Sequence, residues 1–246
     1  MSASSESEFR APDSGHERRV VRRGAVATLG CLLAFVGFVA AAMALYPGGT
    51  FLDRAHPGPS FFGNFFCDLT QPISLSGVPN PVGSRLAQAG MLSFAGALWG
   101  LFWLSPRCCA DDRRVRLWVA RLGTPAVLAF VAVPLMPSER FGWMHAALAL
   151  ISGAFGLGAA LLAVRLSFAS ERRWLGVLGT LTLVVCAFDA IIFIHHLGST
   201  EPPPLLVPAA QKIAALLLCT WIAGVALSSL FGKAERGRLI RGGNSA

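Results

Sequence analysis

The chain contains no G-x-S-x-G, no Walker loop and no G-x-G-x-x-G fingerprint, so nucleotide chemistry has no support. H-E-x-x-H is missing too, and no two histidines fall four apart on one helix. Cysteines number 6, and only Cys67 falls in a connection on the outer side, where it has no partner in the chain. That excludes a disulfide framework. Zinc-finger spacing and basic stripes with interleaved aromatics are absent, so the formal net charge of +8 is no nucleic-acid footprint. Charge is itself sparse, at 14% of the residues.

Long apolar runs fill the space between the charges. Six cover residues 24–46, 84–104, 117–136, 142–164, 174–196 and 208–231. Each is close to the ~20 residues a helix needs to cross the hydrocarbon core. The runs are continuously apolar rather than alternating, which favours helices over the strands of a barrel. The sequence therefore predicts an all-α integral membrane bundle of six helices. Small residues at Gly96 and Gly100, and at Ser152, Gly156 and Ala160, mark expected helix–helix contacts. Pro125 and Pro134 predict a kink in the third span.

The basic residues divide unevenly between the two sides. The N-terminal tail (Arg10, Arg18, Arg19, Arg22, Arg23), the second connection (Arg107, Arg113, Arg114, Arg116, Arg121), the fourth (Arg165, Arg172, Arg173) and the C-terminal tail (Lys233, Arg236, Arg238, Arg241) hold 17 of the 21. The positive-inside rule then predicts both termini in the cytoplasm. Anionic lipid at that face is the expected partner of these loops. The organisation expected is a disordered basic tail over 1–23, a membrane domain over 24–231 and a second tail over 232–246. The first run is too long for a signal h-region and is kept as a helix. The style of the chain is bacterial, which points to the inner membrane and to inert thiols at Cys108 and Cys109.

Polar residues gather toward the other face. In the first outer connection, Phe61, Phe62, Phe65, Phe66 and Leu69 repeat at helical spacing. A short interfacial helix is predicted there, capped by Ser60, with its phenylalanines toward lipid or the bundle top. Asn64 and Asp68 are four apart and share a face directed toward protein or water. His145, His195, His196, Gln211 and Lys212 lie near the outer ends of their spans. Asp189 lies inside the fifth span, where an acid marks a proton relay, a cation site, a metal ligand or a structural bond. It is seven residues from His196, on one face and about 10 Å away along the axis. His145, His195 and His196 with Asp68 or Asp189 are chemically adequate zinc ligands, although their spacing is not diagnostic.

The segment LYPGGTFLDRAHPGPSFFGNFFCDLTQPIS, with Asn64 and Asp68-Leu69 at its core, resembles bacterial six-span membrane proteins of a domain-of-unknown-function family. That family is itself distantly similar to the DRAM/Frag-like proteins. The resemblance implies a six-helix membrane protein with a structured extracytoplasmic loop, and no activity. Cys67 stands where the broader pattern has serine. Three function classes follow from the residues. The lack of a catalytic motif favours a non-enzymatic protein binding lipid or a partner. A proton-coupled transporter using Asp189 is the alternative, and an intramembrane metal-dependent hydrolase is the third. Substrate and oligomeric state have no signature in the chain.

Overall fold

A computed structural model of the chain describes residues 14–109, 113–170, 172–197, 199 and 201–231, and all six apolar runs are helical in it. The long helices are α1 (Ser14–Ala44), α3 (Pro81–Cys109), α4 (Arg113–Leu135), α6 (Trp143–Ala169), α7 (Arg173–His196) and α8 (Leu206–Phe231). Each is long and apolar enough to cross a membrane. Two single-turn helices, α2 (Phe66–Leu69) and α5 (Ser138–Phe141), sit in connections. Both terminal segments, 1–13 and 232–246, lie outside the described residues, and so does the disorder expected of them.

The spans form a ring in chain order. α1 packs on α3, α3 on α4, α4 on α6, α6 on α7 and α7 on α8, and α8 closes the ring against α1. α3 also touches α6 and α8. Half of its apolar window is buried, against 11% for α7, so α3 is the inner helix and α7 an outer one. On α7, Val177, Leu181, Val184, Phe188, Ile191 and Ile194 are all exposed at helical spacing. In water such a stripe would be costly, but against acyl chains it is matched.

Small residues set the closest approach, as their spacing predicts. A β-carbon at Gly100 would collide with the Thr28 side chain, so that side chain of α1 packs directly on the backbone of α3. Ser152 Oγ donates to the carbonyl of Ala126 at 3.0 Å, tying α6 to α4. Pro125 and Pro134 both lie within the one continuous helix α4.

The N-terminal boundary needs correction. Residues 14–23, expected in a disordered tail, are helical and continue directly into the first span. With 31 residues α1 is about 46 Å long at ~1.5 Å per residue, well over the ~30 Å of hydrocarbon. Its first turns, carrying Arg18, Arg19, Arg22 and Arg23, therefore project beyond the core. Arginine is a good helix former, so a charged run need not end a helix.

Candidate functional site

Residues 45–80 fold into a cap over the end of the bundle away from the arginine-rich loops. The cap is held by its own backbone. Gly49 N–H donates to His56 O (2.9 Å), Ser76 N–H to Gly48 O (3.2 Å), Ser74 N–H to Val78 O (2.9 Å) and Asn80 N–H to Pro72 O (2.7 Å). Tyr46 Oη accepts from Leu75 N–H at 3.0 Å, tying the end of α1 to the far side of the cap. Asn80 Nδ2 donates to Leu69 O and Gln71 O, closing the cap onto the start of α3. Gly49 has a φ of 87° and lies against the backbone of Leu75 and Ser76, an approach only glycine permits.

The helix predicted within 60–69 is shorter than expected. Residues 60–64 form a turn in which Gly63 N–H donates to Ser60 Oγ at 3.1 Å, and only Phe66–Leu69 is helical. Glycine at 63 favours the turn, because it gives the helix no side chain to pack. Ser60 therefore closes a turn instead of capping the helix. Asp68 takes over the capping, its Oδ2 accepting from Phe65 N–H at 2.7 Å. The phenylalanines also divide. Phe61 and Phe62 are exposed, whereas Phe65 is buried and Phe66 packs on the core beside Phe35.

Asn64 and Asp68 face inward, at 2% and 1% exposure. Asn64 Nδ2 donates to Gly49 O (2.8 Å) and its Oδ1 accepts from Ser60 N–H (2.9 Å). Its carbonyl receives Lys212 Nζ at 2.5 Å. Lys212, one turn and a half into α8, is only 1% exposed, and its ammonium lies 4.0 Å from the centroid of the Phe66 ring. The neighbouring Gln211 accepts Phe66 N–H on Oε1 at 3.0 Å. Two consecutive residues of α8 thus hold the backbone on either side of Phe65. On the other flank Gln71 Nε2 donates to Ser138 Oγ at 3.1 Å, joining the cap to α5.

The remaining candidates are dispersed. His145 is buried, and its Nδ1 lies 2.7 Å from Met136 O, which makes it a donor bracing the start of α6 on the end of α4. His195 is exposed and His196 half-buried, their rings 5.4 Å apart. Among the described residues His196 Nδ1 is buried with no hydrogen-bond partner. Asp189 is half-buried and within electrostatic reach of Lys212, without an ion pair to it. No group of three or more His, Cys, Asp or Glu that could hold a metal ion occurs among the described residues. The zinc-ligand candidates His145, Asp189 and His196 therefore do not meet as a set.

Burial pushes the Asp68 carboxyl up to about 7, against the opposing pull of Phe65 N–H, Lys212, Asn64 and Arg54. Burial likewise pushes the Cys67 thiol up to about 12, so it stays neutral. For Asp68 the folded protein holds the proton more tightly than the unfolded chain, whose value is near 3.8. The stabilisation is therefore complete below about pH 4 and lost as pH rises through about 7. The thermal midpoint in detergent is expected to rise as pH falls from about 8 to about 5. In Asp68→Asn that slope should flatten; a slope unchanged from wild type would assign it to other groups.

Six spanning helices under a docked, polar-floored cap define a multi-pass membrane protein. The chain matches no family model, no curated protein and no solved structure.

Proposed function

We propose that the protein is a non-enzymatic, lipid-binding component of the bacterial inner membrane, with both termini cytoplasmic and the cap outside. Membership of the six-span family that residues 45–74 resemble is part of the same proposal. The observation that carries the lipid reading is one exposed face of α1, formed by Arg19, Arg22, Arg23, Val26 and Ala27. These positions share one helix face, with guanidinium groups toward the N-terminus and aliphatic groups toward the span. Val26 is 56% exposed. An anionic phospholipid has the matching order, a phosphate that arginine can hold with two parallel N–H bonds and an acyl chain beside it. The asymmetry of the basic loops supports the cytoplasmic assignment of this end.

Each arginine near an anionic leaflet contributes about 1 kcal/mol, so replacing three should weaken retention by on the order of a hundredfold. The test is native mass spectrometry of the purified protein titrated with phosphatidylglycerol and with phosphatidylcholine. The triple Arg19→Gln, Arg22→Gln, Arg23→Gln variant is expected to lose bound phosphatidylglycerol and keep its weak phosphatidylcholine adducts. Equal phosphatidylglycerol binding by wild type and variant would overturn the reading.

A further inference from the structure

Hydroxyl side chains inside the spans close their bonds on their own helices. Ser93 Oγ donates to Ala89 O (2.8 Å), Thr180 Oγ1 to Gly176 O (2.8 Å) and Thr220 Oγ1 to Leu216 O (2.8 Å). Hydrocarbon offers no other partner, so each turns back on a carbonyl of the preceding turn. Gln88 of α3 does not. Among the described residues nothing hydrogen-bonds to its carboxamide.

Its place in α3 makes that costly. Gln88 lies seven residues after Pro81, hence about 10 Å from the capped end of a helix about 43 Å long. Centred on ~30 Å of hydrocarbon, such a helix projects about 6–7 Å at each end, so Gln88 is inside the apolar layer. Arg85, Gln88, Leu92 and Trp99, at spacings of three, four and seven, run down one side of α3. Arg85, Leu92 and Trp99 are exposed and Gln88 is partly so. Phe94, Ala97 and Leu101, on the opposite side, are buried. The carboxamide therefore stands at the edge of a surface that faces lipid, with donor and acceptor both unspent.

We propose that this face of α3 is the contact between two copies of the chain, with the Gln88 carboxamides of the two copies bonded to each other within the membrane.

The chemistry selects the occupant. A carboxamide is donor and acceptor at once, so it is complementary to itself. Two in opposition form a pair of N–H···O bonds, each Nε2 donating to the other Oε1. A two-fold axis along the membrane normal keeps every residue at its own depth and so brings Gln88 opposite Gln88. An acyl chain at this depth carries no polar group and leaves the amide unpaired. Leu92, one turn deeper, falls in the same contact and adds packing. Arg85, almost one turn nearer the surface, reaches the headgroup level, where water and counter-ions screen the like charges of two copies. The contact uses neither the arginine face of α1 nor the groups beneath the cap.

Single-molecule photobleaching of the full-length, singly labelled protein in liposomes tests this by counting copies over a range of protein-to-lipid ratios. Wild type is expected to pass from one bleaching step to two as the ratio rises. Gln88→Leu keeps the size and adds apolarity; it should need about tenfold more protein per lipid to reach half-dimerisation. Gln88→Met gives the same readout should the leucine variant not fold. Ser93→Ala removes a hydroxyl already bonded within α3 and should match wild type. Single steps throughout in wild type would overturn the proposal, as would two steps at an unchanged ratio in Gln88→Leu.

Discussion

Lys212→Met is expected to lower the stability of the protein by about 3 kcal/mol, among the largest effects of any single substitution here. The side chain is 1% exposed, so methionine fills similar volume while removing the charge. Asn64 O loses its donor, a loss of about 1–3 kcal/mol for a buried acceptor. The Phe66 ring loses the cation 4.0 Å away, and Asp68 loses its stronger compensating charge, leaving Arg54. In a chain of this size that corresponds to a fall of about 6–12 °C in thermal midpoint. The double variant Lys212→Met, Asp68→Asn should lose less than the sum of the two single changes, because it no longer buries a carboxylate without its cation. Strict additivity would mean that the two groups do not interact.

Gly49→Ala should be comparably damaging for a different reason. A left-handed φ of 87° costs a non-glycine residue about 1–3 kcal/mol. The new methyl would also stand 2.6 Å from the Leu75 carbonyl carbon and 3.0 Å from its Cβ. Relief requires moving residue 49, and with it the bonds to His56 O and from Asn64 Nδ2. Gly58→Ala separates the two contributions. Gly58 also has a positive φ, 64°, but nothing would touch its methyl. Gly58→Ala should cost about 1 kcal/mol and leave the cap intact. Gly49→Ala should open the cap to protease at least tenfold faster, with helical content nearly unchanged. Equal proteolysis in the two variants would mean that the approach to Leu75 is not what constrains the cap.

The spans were legible because lipid leaves so few solutions: an apolar run of about 20 residues has to be a helix. Their ends were less so. α1 already includes residues 14–23 because nothing in the arginine run opposes helix, and hydropathy registers only where the chain leaves the hydrocarbon. That Asn64 and Asp68 share a face was legible from their spacing, whereas its inward direction was not, and the turn at 60–64 was set by Gly63.

What the sequence weighted differently is the centre of the cluster. Asp189 stands out as an acid in an apolar run, yet the buried contacts converge on Lys212, which reads from sequence only as a cation near the outer end of a span. Its partner is a backbone carbonyl 148 positions away, and a carbonyl carries no sequence signature. The same holds for Gln211 against Phe66 N–H and for Tyr46 against Leu75 N–H. The one available hint was composition. The chain has a single tyrosine and two lysines, and a residue type so rarely used merits scrutiny where it meets the membrane.

The central claim is that residues 45–80 are a folded cap fastened to α8 through Lys212 and Gln211. Hydrogen exchange of the peptide spanning Asn64–Leu69, in nanodiscs, tests it most directly. In wild type the amides of Phe65 and Phe66, bonded to Asp68 Oδ2 and Gln211 Oε1, should exchange far more slowly than the exposed amide of Ala55. In Lys212→Met they should exchange many times faster while the amides of α3 stay protected. Rapid exchange of Phe65 and Phe66 in the wild-type protein would contradict the account.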